Sequence, residues 1–315
     1  MARTRLIAAT SLHPQSPVAE AIADLWWLML VLGVIVFLVF AGLLVAGLRR
    51  TAPEPSEDRA PHRRLVARWI VAGGVAMPAV VLVVVFAATL QAMRAVPASA
   101  PADALEIELT GHRFWYEVRY PAEGIVTANE LHVPVGRQVA VRVTSKDVIH
   151  SLWVPALGTR VDMLPERTST VVLQADRPGE HHSRCGEFCG IQHTNMELIV
   201  VAEGPDDFAA WVSSQQRFTE PTGALAREGR AVFVGARCVD CHALRGQQTA
   251  GARGPDLTHL PGRRTLGAGL SPNTRENIAD WITDPQAIKP GAEMPTTPLT
   301  PAQLDALLAY LEAGG

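Results

Sequence analysis

The feature that most constrains this 315-residue chain is a pair of long uncharged runs near its N-terminus. The first run extends from Leu25 to Leu48 and the second from Trp69 to Met93. Each exceeds the roughly 20 apolar residues that an α-helix needs to cross a lipid bilayer. Helices buried in a soluble core are the alternative, but they rarely extend this far without a charge. The sequence therefore predicts a two-helix transmembrane hairpin over residues 22–96, preceded by an N-terminal tail at residues 1–21.

The segment between the two runs, residues 49–68, indicates how the hairpin is oriented. It is short and holds six arginines, which is typical of loops that face the cytoplasm. Both chain ends are therefore expected on the outer face of the membrane. Trp26, Trp27 and Trp69 lie at the ends of the runs, where amphipathic rings favour the headgroup layer. Pro78 lies inside the second run and is expected to kink that helix.

The distribution of charge and cysteine excludes two other classes of protein. The net charge is −3, and residues 97–221 carry 17 acidic against 10 basic side chains. A nucleic-acid binder concentrates positive charge in a folded part of the chain, which this sequence does not do. The four cysteines fall in two tight clusters, which does not suit a disulfide scaffold. The sequence thus predicts no nucleic-acid partner.

Residues 97–203 have the pattern of an exported all-β domain. Apolar and polar residues alternate in short runs, which turn signals such as Pro134-Val135-Gly136 separate. The predicted strands are 105–109, 130–135, 138–144, 170–173 and 197–201. Several short strands over about a hundred residues, without helices between them, are typical of a β-sandwich or small barrel.

One loop of this domain carries a concentrated set of metal ligands. It reads CGEFCGIQHTNM and contains two thiols (Cys185 and Cys189), an imidazole (His193) and a thioether (Met196). His150, at the end of a predicted strand, offers a second imidazole. Soft sulfur together with imidazole suits copper, so residues 185–196 are here called the copper loop. A Cys2His2 zinc site built from the same cysteines and histidines is the alternative, but zinc would leave the methionine without a role.

The second cysteine cluster lies beyond a connector at residues 204–222, in which residues 206–216 have helical spacing. Its string Cys238-Val239-Asp240-Cys241-His242 has the spacing of c-type haem attachment, in which two thioethers hold the porphyrin and the histidine binds the iron. Met294, in the loop KPGAEMP, is the predicted second iron ligand. Ligation by histidine and methionine gives a high-potential haem that is suited to passing single electrons.

Helical patterns surround this haem motif. One helix is predicted over residues 225–234 and another over 301–311, so that Phe233 and Tyr310 could meet. Residues 223–315 resemble class I cytochrome c, which is an all-α fold. The resemblance implies a covalent haem c.

The run CGEFCGIQHTNM, with DVIHSLWVP upstream of it, resembles subunit II of the haem–copper cytochrome c oxidases over residues 22–203. The resemblance implies a cupredoxin-like sandwich with a binuclear CuA centre. The copper ligands that it implies are His150, Cys185, the backbone carbonyl of Glu187, Cys189, His193 and Met196. The two cysteines would bridge the coppers, and each histidine would bind one. The Glu187 side chain would reach a magnesium ion shared with subunit I. Family members receive electrons at an aromatic residue after a Gly-His pair, for which Trp115 is the candidate.

Together the two resemblances imply a multi-domain membrane protein that conducts electrons. Electrons would arrive at the haem, pass to CuA and reach the haem–copper site of subunit I, where oxygen is reduced to water. A flexible connector at residues 204–222 would hold the cytochrome at about millimolar effective concentration. The implied partners are oxidase subunits I and III and, as electron donor, a cytochrome c or a quinol–cytochrome c reductase. The implied location is the bacterial inner membrane, with both redox domains on the periplasmic face.

Three other functions remain open at this point. The same electron path could feed a related nitric oxide reductase that uses a CuA-bearing subunit. A membrane-tethered copper-delivery or sensing protein would need exchangeable binding of a single copper and gives no reason for a haem. A zinc-stabilised structural module would be colourless.

Several other histidines are expected to have no redox role. His112 and His132 are predicted on the surface of strands. At most one of the adjacent His181 and His182 can face the copper loop, because neighbouring strand residues point to opposite faces. His259 is expected to be exposed or close to a haem propionate.

Overall fold

The computed structural model describes residues 12–50, 60–245 and 253–314. These residues form two compact units, one of residues 17–97 and one that holds the remainder. Most of the predicted N-terminal tail and the middle of the arginine-rich loop lie outside the described residues.

The unit of residues 17–97 consists of two long helices. The first is α1 (Pro17–Arg49); the second is built from α2 (Ala60–Val71), a π-helical turn (Ala72–Ala76) and α3 (Met77–Met93). Both are long and apolar enough to cross a membrane, and their most apolar stretches are not buried inside the protein. Because a core helix of a soluble protein would be buried, this exposure favours membrane spans.

Pro78 explains the wide turn in the second helix. Proline has no N–H to donate, and its ring crowds the carbonyl four residues earlier, which is that of Gly74. A π-helical turn relieves this crowding by opening the hydrogen-bond ladder. The distortion expected at Pro78 therefore takes the form of a local widening directly before it.

Residues 105–203 form a β-domain of three sheets. Its strands are, in chain order, β1 (Leu105–His112), β2 (Trp115–Tyr120), β3 (Ile125–Ala128), β4 (Glu130–Pro134), β5 (Val139–Ser145), β6 (His150–Val154), β7 (Thr159–Met163), β8 (Ser169–Leu173), β9 (Gly179–His182), β10 (Arg184–Cys185) and β11 (Ile199–Glu203). The sheet orders are β3-β2-β1-β5-β8, β10-β6-β7 and β4-β11-β9. β1 pairs with β2 antiparallel and with β5 parallel.

Alternation along the strands builds one hydrophobic core. In β5, Val139, Val141 and Val143 are buried while Arg142 between them is exposed. Side chains of β1, β2, β4 and β6 join the same core, which also contains both cysteines of the copper loop. The alternation with period two that predicted the strands therefore also separates the buried side chains from the exposed ones.

The connector between the β-domain and the C-terminal domain is largely helical. α4 (Pro205–Gln216) starts with a proline in its first turn, followed by acidic residues that suit a helix N-terminus. The ring of Trp211 stacks on that of His132 with centroids 4.1 Å apart, and it lies 5.1 Å from Tyr120. The helical spacing of residues 206–216 is thus confirmed, whereas the flexibility expected of the connector 204–222 does not hold for this helix. Most residues of this helix are small or polar, so the sequence alone did not indicate that Trp211 packs on the β-domain.

The C-terminal domain is helical, with one short hairpin. Its elements are α5 (Ala224–Gly235), β12 (Thr265–Leu266), β13 (Ser271–Pro272), α6 (Arg275–Thr283), α7 (Pro285–Ile288) and α8 (Pro301–Ala313). α5 packs against α8, and the rings of Phe233 and Tyr310 lie 5.9 Å apart, as predicted. Thr300 and Gln303 form a capping box that starts α8. A second hydrophobic core surrounds these helices.

Candidate metal and haem sites

Pairing between β6 and β10 brings the first two metal ligands together. Cys185 pairs with Leu152, which lies two residues after His150 and therefore on the same face of the strand. The Nδ1 atom of His150 lies 3.9 Å from Cys185 Sγ. Both side chains are buried, so water does not separate them.

The remaining donors surround the two thiols. Cys185 Sγ lies 3.7 Å from Cys189 Sγ and 3.2 Å from the backbone oxygen of Glu187. Cys189 Sγ lies 3.8 Å from His193 Nδ1 and 3.9 Å from Met196 Sδ. Ligand atoms held about 2.0–2.3 Å from a metal are about 3–4 Å from one another, so these spacings fit a shared metal centre. The sulfur pair lies between the two imidazoles.

Asp147 determines which nitrogen of His150 faces the thiols. Its carboxylate lies 2.8 Å from His150 Nε2 and also accepts hydrogen bonds from the backbone N–H groups of Val148 and Arg113. Burial raises the pKa of Asp147, but these hydrogen bonds outweigh burial and keep the pKa below its usual value. An ionised carboxylate at Nε2 holds the proton there and leaves Nδ1 as the ligand atom.

The two thiols do not share the same acidity. The hydrogen bond between them lowers the pKa of Cys185 far below its usual value, and bonds from His150 and backbone groups act in the same direction. The same pairing and burial raise the pKa of Cys189. One sulfur is therefore a thiolate at neutral pH, and a bound cation would favour loss of the proton from the other.

The residues present fit a soft transition metal. His150, Cys185 and Cys189 hold their ligand atoms within 4.8 Å of one another, and a thioether and a carbonyl oxygen lie at the edge of the cluster. A four-coordinate zinc site needs no fifth or sixth donor. Two sulfurs, two imidazoles and a thioether suit copper.

The C-terminal domain contains a cavity of about 440 Å³ lined by the haem motif. Cys238, Cys241, His242 and Met294 all border it, together with apolar side chains such as Leu257. The Nδ1 atom of His242 lies 2.8 Å from the carbonyl oxygen of Pro255, which fixes the ring and leaves Nε2 for a metal. These residues fit a covalent haem c.

Gly254 shows how closely the backbone approaches the imidazole of His242. A Cβ atom at this glycine would lie 2.6 Å from Cε1 of the ring. Only glycine leaves room for the ring at this position, so Gly254 and Pro255 fix the histidine from two directions.

Two segments of the β-domain also border the haem cavity. They contribute Arg113, Phe114, Trp115 and Asn129. The Trp115 ring stacks on His112 with centroids 4.2 Å apart. The aromatic turn (residues 113–116) therefore lies at the boundary between the candidate haem site and the domain that carries the copper ligands.

Comparison with known proteins agrees with both sites. The family of the cytochrome c oxidase subunit II periplasmic domain matches residues 110–203, and the cytochrome c family matches residues 226–314. Subunit 2 of the cytochrome c oxidase of Alkalihalophilus pseudofirmus is 33% identical to this chain over 96% of the chain and 90% of that protein. The chain belongs to the cytochrome c oxidase subunit II family.

Two further relatives cover less of the chain. Subunit 2 of the cytochrome c oxidase of Bacillus sp. strain PS3 is 33% identical over 65% of this chain and 61% of that protein. A crystal structure of the periplasmic domain of subunit II of cytochrome oxidase (CoxB) of Bradyrhizobium japonicum is 28% identical, with a TM-score of 0.36, over 38% of this chain and 97% of that one.

This subunit II chain thus has two candidate membrane helices, a cupredoxin-like β-domain and a C-terminal cytochrome c domain. It is a subunit of cytochrome c oxidase, and a fused cytochrome makes it the point at which electrons come into the oxidase. Its CuA-type copper site contains His150, Cys185, Cys189 and Met196.

Two histidines of this subunit lie in unexpected surroundings. His112 and His132, predicted on the surface, are both buried. His132 stacks on Trp211 of α4, and His112 stacks on Trp115. The strand pattern placed them correctly on the outer faces, but other elements cover those faces.

Three further histidines are His181, His182 and His259. His182 pairs with the carboxylate of Glu197, and His181 is buried in β9. His259 Nε2 lies 2.9 Å from the backbone oxygen of Gln215, at the end of α4. None of the three is among the described residues of the copper cluster.

Four polar residues at these sites were not found from the sequence. Asp147 had a readable signal, because a carboxylate three residues before a metal-binding histidine is a natural partner for its second nitrogen. Gln192, Arg264 and Lys289 had none, because each contacts a segment far away in the chain.

Proposed function

We propose that this chain receives electrons at a haem c in its C-terminal domain and passes them through a CuA centre to the haem–copper site of subunit I, where oxygen is reduced to water. Haem c and CuA, when bound, supply outer-sphere transfer of single electrons. The protein supplies the ligands, excludes water and sets the distance between the sites. The proposed division is a hairpin over 22–96, a copper domain over 97–203, a connector over 204–222 and a cytochrome over 223–315.

One observation carries this proposal. The cavity bordered by His242 and Met294 is also bordered by Phe114 and Trp115 of the copper domain. A haem in this cavity would have no folded layer of protein between it and the aromatic turn. The geometry suits direct electron transfer within one chain, with Trp115 as the candidate residue at the boundary.

For the copper pair we propose His193 and the Glu187 carbonyl as ligands besides the four residues of the copper site. His193 Nδ1 faces Cys189 as His150 Nδ1 faces Cys185, so each sulfur has its own imidazole at nearly the same distance. The Glu187 carbonyl oxygen lies beside Cys185 Sγ, and the Met196 thioether lies beside Cys189 Sγ. Each cysteine sulfur therefore has one further donor next to it. A nearly symmetric donor set suits two metals bridged by two thiolates.

For the haem we propose thioether attachment at Cys238 and Cys241 and iron ligation by His242 and Met294. Trp281 Nε1 lies 3.2 Å from Met294 Sδ, which orients the thioether at the cavity. Burial lowers the pKa of His242, so its imidazole is neutral and ready to bind a metal at pH 7.

The proposed partners follow from the family. Subunits I and III would surround the membrane hairpin, and a cytochrome c or quinol–cytochrome c reductase would donate electrons. The arginines of residues 49–68 support a cytoplasmic loop and periplasmic redox domains in the bacterial inner membrane. The Glu187 carboxylate is exposed and 3.8 Å from Arg160, which leaves it able to reach a magnesium ion shared with subunit I.

The test is visible and near-infrared absorption with EPR on the purified chain, with copper and iron counted per chain. We expect a copper pair that shares one unpaired electron, and one low-spin haem c. Replacement of His193 by Ala should convert the copper signal to that of a localised centre. A single exchangeable copper, or zinc in its place, would refute the CuA centre and the proposed electron path.

A further inference from the structure

Lys289 is a buried cation at the boundary between the two exported domains. Its side chain is 2% exposed, although lysine is almost never fully buried without a partner. The Nζ atom donates hydrogen bonds to the carbonyl oxygens of Phe114, at 3.0 Å, and Gly267, at 2.6 Å. Among the described residues, no carboxylate lies within ion-pair distance of it. One acceptor belongs to the copper domain and the other to the cytochrome domain.

The next residue along makes a second contact with the copper domain. The backbone oxygen of Pro290 accepts a hydrogen bond of 2.9 Å from Gln192 Nε2. Gln192 is buried, and its own oxygen accepts a bond of 2.8 Å from Asn195. Gln192 immediately precedes His193, so its orientation is linked to that of a proposed copper ligand.

These two contacts join the loops that border the two redox sites. Residues 289–294, here called the methionine loop, end at the proposed haem ligand Met294. The ring of Phe114, whose carbonyl Lys289 holds, packs on Gly190 of the copper loop, where a Cβ atom would lie 3.0 Å from Cε1. The methionine loop therefore contacts the aromatic turn and the copper loop directly, and the aromatic turn also packs on the copper loop.

Ion pairs between the two domains also hold the cytochrome domain against the copper domain. Arg264 of the cytochrome domain lies 3.2 Å from the buried carboxylate of Glu130 and 2.6 Å from that of Glu180, both in the copper domain. The guanidinium of Arg245 donates to backbone oxygens at the end of α4 and to Gly124. The cytochrome is thus held along an extended boundary and not at one point.

We propose that Lys289 and Gln192 are positioning residues that fix the methionine loop against the copper domain, so that the fused cytochrome works as a docked donor at one distance from the copper site. This inference rests on the proposed electron path. Neither side chain touches a reacting atom. Lys289 holds the methionine loop to the aromatic turn, and Gln192 holds the copper loop to the methionine loop, each by a hydrogen bond to a backbone oxygen.

The test measures electron transfer and docking separately in the full-length chain. The variants are Lys289→Met and Gln192→Leu, which keep the approximate size of each side chain and remove its donors. The matched controls are Lys146→Met, at the chain's other lysine, and Gln174→Leu, which are both outside this boundary. The readouts are the rate of haem-to-copper electron transfer after flash photoreduction of the haem, and amide exchange over residues 113–116 and 289–292.

Loss of one buried donor should lower the equilibrium constant for docking by about five- to 150-fold. We expect slower haem-to-copper transfer and faster amide exchange at both segments in each variant, with haem and CuA spectra like those of the parent chain. The controls should match the parent chain in all readouts. Reduction of CuA by a small-molecule reductant should keep its rate in every variant, which a general loss of structure would not allow.

Unchanged transfer rates and unchanged amide exchange in both variants would overturn the proposal. If Lys289→Met disturbs folding, Gln192→Glu serves as the second variant, because a carboxylate of the same shape cannot donate to Pro290 and should open the boundary in the same way. Absence of the haem or CuA spectrum from the parent chain would instead refute the proposed function, so the two failures are distinguishable.

Discussion

A metal-binding imidazole must present one particular nitrogen to the metal, and in this protein Asp147 makes that choice for His150. The carboxylate is itself held by two backbone N–H groups, so it cannot turn away. One of these belongs to Arg113, in the aromatic turn. Asp147 therefore couples the orientation of a copper ligand to the segment that borders the haem cavity.

Replacing Asp147 by alanine should weaken copper binding by about ten- to 100-fold, since such partners of ligating histidines have effects of this size. The cause is loss of the acceptor that keeps the proton on Nε2. Competition with a copper chelator, followed at the CuA absorption, measures the change. Asp103→Ala, at an exposed position before β1, is the matched control and should bind copper like the parent chain. Equal affinities in the two variants would show that Asp147 does not orient His150.

Lys289 should make docking of the cytochrome depend on pH. Burial lowers its pKa from 10.5 to about 7. The penalty for burying the charge is complete below pH 7 and is relieved as pH rises from 7 to 10.5. The neutral amine keeps two N–H donors for its two carbonyl acceptors. Docking should therefore strengthen by up to about tenfold per pH unit within this window.

Amide exchange of residues 113–116, compared between the parent chain and Lys289→Met from about pH 6 to about pH 10, checks this prediction. The comparison at each pH cancels the intrinsic pH dependence of exchange. The protection in the parent chain should rise with pH relative to that in the variant. A constant ratio across the range would mean that Lys289 does not titrate in it.

At the scale of elements, the cytochrome domain depends on the close approach of α5 and α8. Gly229 lies where α5 meets the backbone of Ala306, and a Cβ atom there would also lie 2.7 Å from Cβ of Tyr310. Gly229→Ala should therefore force the helices apart and lower the free energy of unfolding by about 1–3 kcal/mol or more. Thermal unfolding followed at the Soret band measures this loss.

Gly235 provides the control in the same helix, because a Cβ atom added there meets no atom within 4 Å. Gly235→Ala should change the free energy of unfolding by no more than about 0.5 kcal/mol. Similar losses in the two variants would show that the close approach of α5 and α8 does not cause the effect, because alanine has the higher helix propensity and would not by itself destabilise either position.

Helix α4 should owe its place to one side chain. Trp211 lies against His132 and Tyr120, and with Val212 it borders the core of the copper domain. Because it is only half-buried, Trp211→Ala should cost about 2–3 kcal/mol, less than a fully buried tryptophan. Denaturant unfolding of the copper domain measures this cost. Leu225→Ala, at an exposed helical position, should have almost no effect, and an equal loss there would contradict the prediction.

Local signals in the sequence predict part of this structure, and contacts between distant elements determine the rest. The copper ligands other than His150 lie within twelve residues, so their convergence could be predicted from one loop. In β4 the alternation placed Leu131 and Val133 in the core and Glu130 and His132 on the outer face. The error concerned what covers that face. α4 and Arg264 bury it, and neither contact has a signature in the local pattern.

At the scale of the whole chain, the copper domain and the cytochrome domain carry two candidate redox sites on two cores that share one boundary. A fused donor can work in two ways. A loosely tethered cytochrome would deliver electrons at a rate set by its effective concentration, which depends on the connector. A docked cytochrome would deliver them at a rate set by the fixed distance. The helical connector and the contacts of Lys289, Gln192 and Arg264 favour the second way.

Lengthening the connector should distinguish the two. The segment between α4 and α5, residues 217–223, has seven residues. Inserting a Gly/Ser stretch of equal length doubles the length of this segment. Doubling a flexible loop lowers its closure constant by about threefold. A tethered donor would slow by this factor, whereas a cytochrome that is almost fully docked should keep its haem-to-copper transfer rate after flash photoreduction. In the Lys289→Met variant the same insertion should lower the haem-to-copper transfer rate, because the weakly docked cytochrome must first be brought to the copper domain by closure of the connector. A rate that falls about threefold with the insertion alone would show that the boundary is not held closed.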